Sequence, residues 1–206
     1  MIGSKLAIEI SKKNVDLILH GKSKQKLEEL DQKINNSNKK SIFLNCNFQD
    51  ENQIKKLSIA ISHRFKKIDF IINAVGSIDK LCPLTDLTYK EWQKNLLVNL
   101  SANWMILKEL EPLLKKSKNP KIFFFTNSEI SNGKAFFNSY GISKAALEAM
   151  VKMYSNEKKK FNFKVETIEL ENLKSGVFEK IYSDTNQINQ AKELDKTIKK
   201  ILKVIF

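Results

Sequence analysis

The sequence predicts an α/β protein whose parallel sheet is doubly wound, with helices on both faces. Short β-rich segments alternate along the chain with longer segments in which apolar residues have helical spacing. Some of the short segments, such as 16–19 and 122–125, are apolar on both faces. A strand of that kind has to be covered on both sides, which indicates a parallel sheet between two helix layers.

The individual elements follow from this alternation. Strands are predicted at 15–20, 41–46, 69–73, 121–126 and 164–170. Helices are predicted around Leu27, Leu30 and Ile34, around Ile54, Leu57, Ile61 and Phe65, from about Thr88 through Leu110, at 139–159 and at 193–202. Since no linker or repeat divides the chain, we expect a single Rossmann-like domain over residues 1–206.

Composition narrows the classes of protein to consider. At 206 residues and 42% hydrophobic, the chain is large enough for one sizeable core. No apolar run approaches the roughly 20 residues that span a bilayer, and no apolar stretch follows Lys5 to form a signal peptide. Cys46 and Cys82 are too few for a metal site or a disulfide framework. We therefore expect a cytoplasmic protein without a membrane segment or a bound metal.

The net charge of +13 raises the possibility of a nucleic-acid binder. Arg64 is the only arginine, however, and the lysines are spread along the chain instead of being gathered on one predicted element. A composition rich in Lys, Asn and Ile also arises in an AT-rich genome without selection for a partner. We interpret the lysines as a solvated surface and do not expect a nucleic-acid partner.

Tyr140 and Lys144 are the first candidate catalytic pair. They stand at i and i+4 in the predicted helix after the fourth segment with strand character, so both project from one helical face. An ammonium close to a phenol favours the phenolate, and we expect Lys144 to lower the pKa of Tyr140 towards the range of an acid–base catalyst.

Three further features accompany this pair in a fixed order. Asn99 lies inside the long helix that is predicted from about Thr88 through Leu110. Asn73 and Gly76 belong to a strand that runs into a small-residue turn, Ile71-Ile72-Asn73-Ala74-Val75-Gly76. Gly3 follows Ile2 in the segment Ile2-Gly3-Ser4-Lys5-Leu6-Ala7.

Together these features resemble the short-chain dehydrogenase/reductase family over essentially the whole chain. The resemblance implies that Tyr140 delivers a proton to the substrate oxygen, that Lys144 holds the cofactor ribose and tunes Tyr140, and that Asn99 positions a water in the proton relay. It also places the 73–76 turn beside the cofactor and makes Gly3 the tail of its phosphate loop. A small carbonyl or alcohol substrate and a homo-oligomer are further implications.

The resemblance also locates the residues that choose the cofactor. Family members select it at the end of the second strand, where an acidic residue favours NAD. Here Lys22 and Ser23 offer a cation and a hydroxyl suited to the 2′-phosphate of NADP. Asn47 stands where the family has an Asp that contacts adenine. We therefore expect NADP(H) as cofactor.

Some positions depart from the family pattern. The substrate-orienting serine lies thirteen residues before the tyrosine, a position held here by Asn127, with Ser128 one place later. Asn127 would then act as a hydrogen-bond donor to the substrate oxygen, or a one-residue deletion would bring Ser128 into register. Glu171-Asn172 replaces the usual Pro-Gly near the nicotinamide.

The ends of the chain depart from the pattern as well. Matched to the family, the chain lacks the first strand, which lies between the second and fourth, and the last strand. We therefore expect two strands without a partner and weak dinucleotide binding. The sequence thus predicts an NADP(H)-dependent oxidoreductase; the alternative is a non-catalytic family member that binds a nucleotide or a protein partner.

Overall fold

A computed structural model of the protein describes residues 2–34, 41–170 and 190–206. The strands are β1 Leu17–Gly21, β2 Ser41–Asn45, β3 Phe70–Asn73, β4 Lys121–Thr126 and β5 Lys164–Glu169. The helices are α1 Ile2–Ser11, α2 Lys24–Ile34, α3 Glu51–Arg64, α4 Tyr89–Leu96, α5 Ala102–Leu114, α6 Ser128–Ser131, α7 Asn138–Lys158 and α8 Gln190–Ile205. All predicted strands are therefore present, and the predicted helices correspond to α2 to α5, α7 and α8.

The strands form two parallel sheets. The apolar pattern alone predicted a single sheet, whereas the family resemblance predicted two strands without a partner. β1 pairs with β2, and β3, β4 and β5 pair in that order. Within the described residues, β1 and β3 each keep one edge without a paired strand. Among the described residues, no ladder of hydrogen bonds joins the two sheets.

Two helix layers nevertheless cover both sheets, as the doubly wound fold requires. On one face, α3, α5 and α7 bury a cluster that contacts Ile18 of β1, Leu44 of β2 and Ile71 of β3. On the other face, α1 and α8 pack on Phe123 and Phe125 of β4, and α1 and α2 pack over β1 and β2.

Burial along the strands is uneven. Phe123, Phe124 and their neighbours in β4 are almost fully buried. Helices cover both faces of β1, as predicted, since Ile18 packs on one side and Leu17 and Leu19 on the other, but every residue of β1 is only half-buried. The reason is position: β4 lies between two paired strands, while β1 has a paired strand on one side only.

Local capping fixes the start of the long helical segment that carries Asn99. Thr88 accepts a hydrogen bond from the Glu91 backbone N–H, and the Glu91 carboxylate accepts one from the Thr88 backbone. This capping box begins α4 at Tyr89. The segment continues through a π-helical turn, Leu97–Ser101, into α5.

Candidate active site

Tyr140 and Lys144 lie on adjacent turns at the start of α7, and both are buried. Tyr140 packs against Ile78, Ile130 and Phe137. The Lys144 Nζ lies 5.6 Å from the centre of the Tyr140 ring and donates a 2.9 Å hydrogen bond to the Phe125 carbonyl at the end of β4. The spacing of four residues therefore places the ammonium beside the phenol ring.

The protonation equilibria of the pair differ from the sequence-based expectation. Burial raises the pKa of Tyr140 to about 12. Burial also lowers the pKa of Lys144 to about 8, an effect partly opposed by the nearby Glu148 carboxylate. The predicted lowering of the Tyr140 pKa by Lys144 is therefore not seen, because the phenol lies in an apolar cluster and the ammonium is directed at a backbone carbonyl.

These shifts predict an unusual dependence of stability on pH. Below about pH 8 both folded and unfolded chains carry the Lys144 ammonium, so the cost of burying it is fully present. Between about pH 8 and 10 the unfolded chain binds a proton that the folded chain does not, and the free energy of unfolding should rise by about 1–3 kcal/mol. Denaturant titrations at several pH values measure this rise. It should be absent in Lys144→Met, and an equal rise in that variant would show that another group is responsible.

Asn99 occupies the π-helical turn that links α4 and α5, and its side chain is fully buried. Its Oδ1 accepts from the Ser77 backbone N–H and its Nδ2 donates to the Ser77 carbonyl, both at 2.8 Å. The helix is thereby fixed to the segment after β3, one residue before Ile78, which contacts Tyr140. Single π-helical turns inside α-helices occur frequently at functional sites.

Asn103 is a buried neighbour of Asn99 that the sequence interpretation did not identify as a site residue. Its Nδ2 donates to the Asn99 carbonyl at 2.6 Å, and its Oδ1 accepts from the Asn73 side chain. Asn73 in turn accepts from the Val75 backbone N–H. The signal in the sequence is the spacing of Asn95, Asn99 and Asn103, which repeats every four residues along one helical segment.

Asn127 and Ser128, the two candidates for the serine position, are both engaged elsewhere. Asn127 caps α6 by accepting from the Ile130 N–H at 3.1 Å, and it donates to the Leu170 carbonyl at 2.8 Å. Ser128 donates to the Glu169 carboxylate at the end of β5. Of the two, Asn127 is buried and close in sequence to Ile130, which contacts Tyr140, while Ser128 is exposed.

The glycine candidates lie at one end of the molecule with Asn73. Gly3 is in the first turn of α1, and a Cβ added there would lie 3.3 Å from the Cβ of Ala74. The N-terminus of α1 therefore adjoins the end of β3, where the segment leading to Gly76 begins. A helix N-terminus in this position favours an anionic group.

The residues expected to read the cofactor follow β1 and β2. Lys22 is exposed, and Ser23 accepts from the Lys26 N–H at 3.3 Å, which caps α2. Asn45, which the sequence interpretation missed, donates to the carbonyls of Gly21 and Lys22 and so fixes this turn. Asn47 is half-buried, and its Oδ1 accepts from the Gln49 N–H at 3.2 Å.

The Glu171-Asn172 pair, which was expected near the nicotinamide, lies outside the described residues. Within the described ranges, no helix is long and apolar enough to cross a membrane, and no group of three or more His, Cys, Asp or Glu side chains is arranged to hold a metal ion.

Comparison with known proteins gives a consistent result. A family model described as short chain dehydrogenase matches residues 1–186. An uncharacterized oxidoreductase of Escherichia coli K12, YciK, is 25% identical over 162 residues, which cover 76% of this chain and 63% of YciK. An Arabidopsis thaliana protein named NADPH-dependent aldehyde reductase-like protein, chloroplastic, is 27% identical over 122 residues. That match covers 58% of this chain and 45% of the plant protein, so the chain spans less than two thirds of both relatives.

The fold also matches solved structures. A protein described as a short-chain dehydrogenase of Escherichia coli CFT073, solved as a complex with NADPH, superposes with a TM-score of 0.87 at 21% identity. The superposition covers 96% of this chain and 84% of that one. At this identity the likeness establishes the Rossmann-like fold.

Proposed function

Because the chain belongs to the short-chain dehydrogenase family of oxidoreductases, we propose that it transfers a hydride between NADP(H) and a carbonyl or alcohol substrate. The observation that carries the proposal is the buried pair of Tyr140 and Lys144 on adjacent turns of α7, beside the carboxyl end of β4. In an open α/β sheet, ligands bind in the crevice outside the carboxyl ends of the strands.

The described residues fit a dinucleotide at several points. The N-terminus of α1, with Gly3 close to Ala74, offers backbone N–H groups to a pyrophosphate where a larger side chain would crowd the end of β3. Lys22 is exposed after β1, in position for a phosphate monoester. Lys144, with its pKa lowered to about 8, can hold a ribose hydroxyl.

In the proposed reaction, each residue has a defined part. When bound, NADPH would supply the hydride that adds to the carbonyl carbon. Tyr140 donates its phenolic proton to the carbonyl oxygen as negative charge develops there, and Lys144 stabilises the resulting phenolate. Asn99 holds the turn through Ser77 that keeps Ile78 against Tyr140. The reverse reaction, alcohol oxidation, uses the same groups with the proton moving to Tyr140.

The choice of NADP(H) over NAD(H) rests on Lys22 and on the cofactors named for similar proteins. The segment 22–24 after β1 carries two lysines and no carboxylate. One similar protein is named for NADPH and another was solved with it. Since Ser23 already caps α2, we assign the contact with the 2′-phosphate to Lys22 alone.

Lys22→Asp is expected to weaken NADPH binding about 10- to 100-fold and to change NADH binding little. The substitution replaces an attraction to the 2′-phosphate by a repulsion, and NADH has no such phosphate. Fluorescence titration with both cofactors measures the effect. Lys24→Asp, two residues away and also exposed, is the matched control. Equal weakening of both cofactors by Lys22→Asp would show that Lys22 does not read the phosphate.

A non-catalytic nucleotide-binding protein is the second candidate, and Asn127 favours it. Both ends of the Asn127 side chain are hydrogen bonded to the backbone, where the family has a substrate-orienting serine. NADPH consumption with a panel of aldehydes and ketones, together with NADPH titration, separates the two functions. Turnover supports the oxidoreductase; tight NADPH binding without turnover on the panel supports the second candidate.

A further inference from the structure

The fold gathers lysines that are dispersed in the sequence. Because the strands within each sheet are parallel, every connection from a helix into a strand reaches the amino end of that strand. Four such connections lie in the described residues, before β1, β3, β4 and β5. With one flanking residue on each side, these are the segments 11–17, 64–70, 114–121 and 158–164, which we call the basic face.

The charge of the basic face is strongly one-sided. Its four segments contain 13 lysine or arginine residues and two carboxylates, Asp16 and Asp69. The connections at the opposite end of the strands, 21–24, 45–51, 73–89 and 126–138, contain four basic and five acidic residues. The excess positive charge of the chain therefore lies mainly at the end of the sheets opposite the candidate active site.

Contacts between the segments show that they form one surface. The Asn162 side chain donates to the Lys118 carbonyl, and Ser117 donates to the Asp69 carboxylate. The Phe206 ring packs on Phe70 with ring centres 5.5 Å apart, and the Lys13 Nζ lies 4.6 Å from the Phe206 ring centre. The connection before β1 thus reaches the same surface as those before β3, β4 and β5.

A cavity of about 510 Å³ opens on this face. Its lining residues are Lys67, Asp69, Phe70, Lys116, Ser117, Lys118, Asn119 and Lys121. Lys67 pairs with Asp69 at 2.9 Å and so neutralises the one carboxylate in the lining. Lys116 and Lys118 are exposed and form no ion pair within the described residues. The cavity is therefore cationic and has an aromatic wall.

Ion pairs with residues outside the basic face reduce its charge without removing it. Lys12, Lys115, Lys158 and Lys164 pair with Glu9, Glu111 or Glu166. The exposed pairs among them are weak and are screened by salt, whereas the Lys158–Glu111 pair is largely buried. Lys159 and Lys160 are exposed and, in the part of the chain that the structure describes, form no ion pair. The face keeps a net positive charge next to the cavity.

Exposed aromatic rings stand among these lysines. Phe161 is 60% exposed and Phe206 is 46% exposed. The Lys158 Nζ lies 5.9 Å from the Phe161 ring centre. Cationic grooves with interspersed aromatic rings are the pattern by which proteins bind single-stranded nucleic acid, since the lysines follow the phosphates and the bases stack on the rings.

We propose that the basic face binds single-stranded nucleic acid through its lysines, with Phe161 as a stacking platform. An anionic membrane would use the same lysines but offers no bases to stack, so parallel measurements with an oligonucleotide and with vesicles distinguish the two partners. The proposal is independent of the oxidoreductase function, because the two sites lie at opposite ends of the strands.

The test uses the full chain and a fluorescein-labelled oligothymidylate, with binding followed by fluorescence anisotropy at several salt concentrations. A variant with Lys116→Gln, Lys118→Gln, Lys159→Gln and Lys160→Gln should bind at least about tenfold more weakly, and the slope of log K against log salt should fall by about 3. The matched control carries Lys24→Gln, Lys26→Gln, Lys56→Gln and Lys90→Gln, which remove the same charge away from the basic face. Circular dichroism verifies that both variants are folded.

Phe161→Ala provides the second arm and should weaken oligothymidylate binding at least about fivefold. The wild type should bind the oligonucleotide more tightly than phosphatidylserine-containing vesicles, and excess NADPH should not displace the oligonucleotide. Equal weakening by the control variant would overturn the proposal, since the effect would then follow net charge alone. Vesicle binding combined with an unaffected oligonucleotide affinity of Phe161→Ala would also overturn it, in favour of a membrane surface.

Discussion

Tyr140→Phe is expected to lower kcat for carbonyl reduction by about 10²- to 10⁴-fold, the usual contribution of a positioned general acid. The Lys144 Nζ lies 5.6 Å from the centre of the Tyr140 ring, and phenylalanine preserves the ring and its contacts with Ile78, Ile130 and Phe137. NADPH affinity should therefore change little. The measurements are kcat from NADPH consumption with an aldehyde that the wild type reduces, and Kd from NADPH fluorescence.

Tyr154→Phe is the matched control for this prediction. Tyr154 lies on the same helix as Tyr140, more than two turns from Lys144, and its hydroxyl donates to the Glu111 carboxylate. The substitution removes the same hydroxyl group as Tyr140→Phe does. We expect wild-type turnover from this variant. If Tyr140→Phe retained turnover within about threefold of wild type, a proton donor other than Tyr140 would have to be sought, since the expected loss is larger.

Much of the fold could be predicted because hydrophobic periodicity reports burial directly. β4, with Ile122 to Phe125 buried on both faces, matches its predicted bounds. The break between the two sheets was expected only from the family resemblance, because strand pairing depends on neighbours distant in sequence and β1 has the same apolar pattern as a central strand. The half-burial of Leu17 to Leu19 in β1 follows from that break.

The candidate site was predictable only where spacing alone determines geometry. Tyr140 and Lys144 share a helical face whatever surrounds them, so their proximity followed from the sequence. Their pKa values did not, because the burial of Tyr140 also involves Ile78, a residue distant in sequence whose packing the helical spacing does not report. The engagement of Asn127 with Leu170 was equally hidden, since the two residues meet only through the pairing of β4 with β5.

The lysines illustrate the same difference between order in the sequence and position in the fold. Their dispersion along the chain indicated a solvated surface with no particular partner. A parallel topology, however, returns every helix-to-strand connection to one end of the strands, so a residue type that recurs before each strand accumulates there. Lys67, Lys118 and Lys160 are far apart in sequence and belong to the same face.

The buried asparagines of the long helical segment lead to the other prediction with a large effect. Asn103→Leu is expected to lower the free energy of unfolding by about 2–5 kcal/mol, because it leaves both the Asn99 carbonyl and the Asn73 side chain without their buried partner.

Asn95→Leu is the matched control on the same segment. Asn95 and Asn103 are equally buried, but the Oδ1 of Asn95 has no hydrogen-bond partner in the described residues and its Nδ2 meets only Ser139. Removing an unsatisfied acceptor offsets the loss of that one bond, so Asn95→Leu should lie within about 1 kcal/mol of wild type. Urea denaturation of the two variants gives both values, and equal costs would show that hydrophobic repacking, not the hydrogen-bonded asparagines, determines stability at this helix.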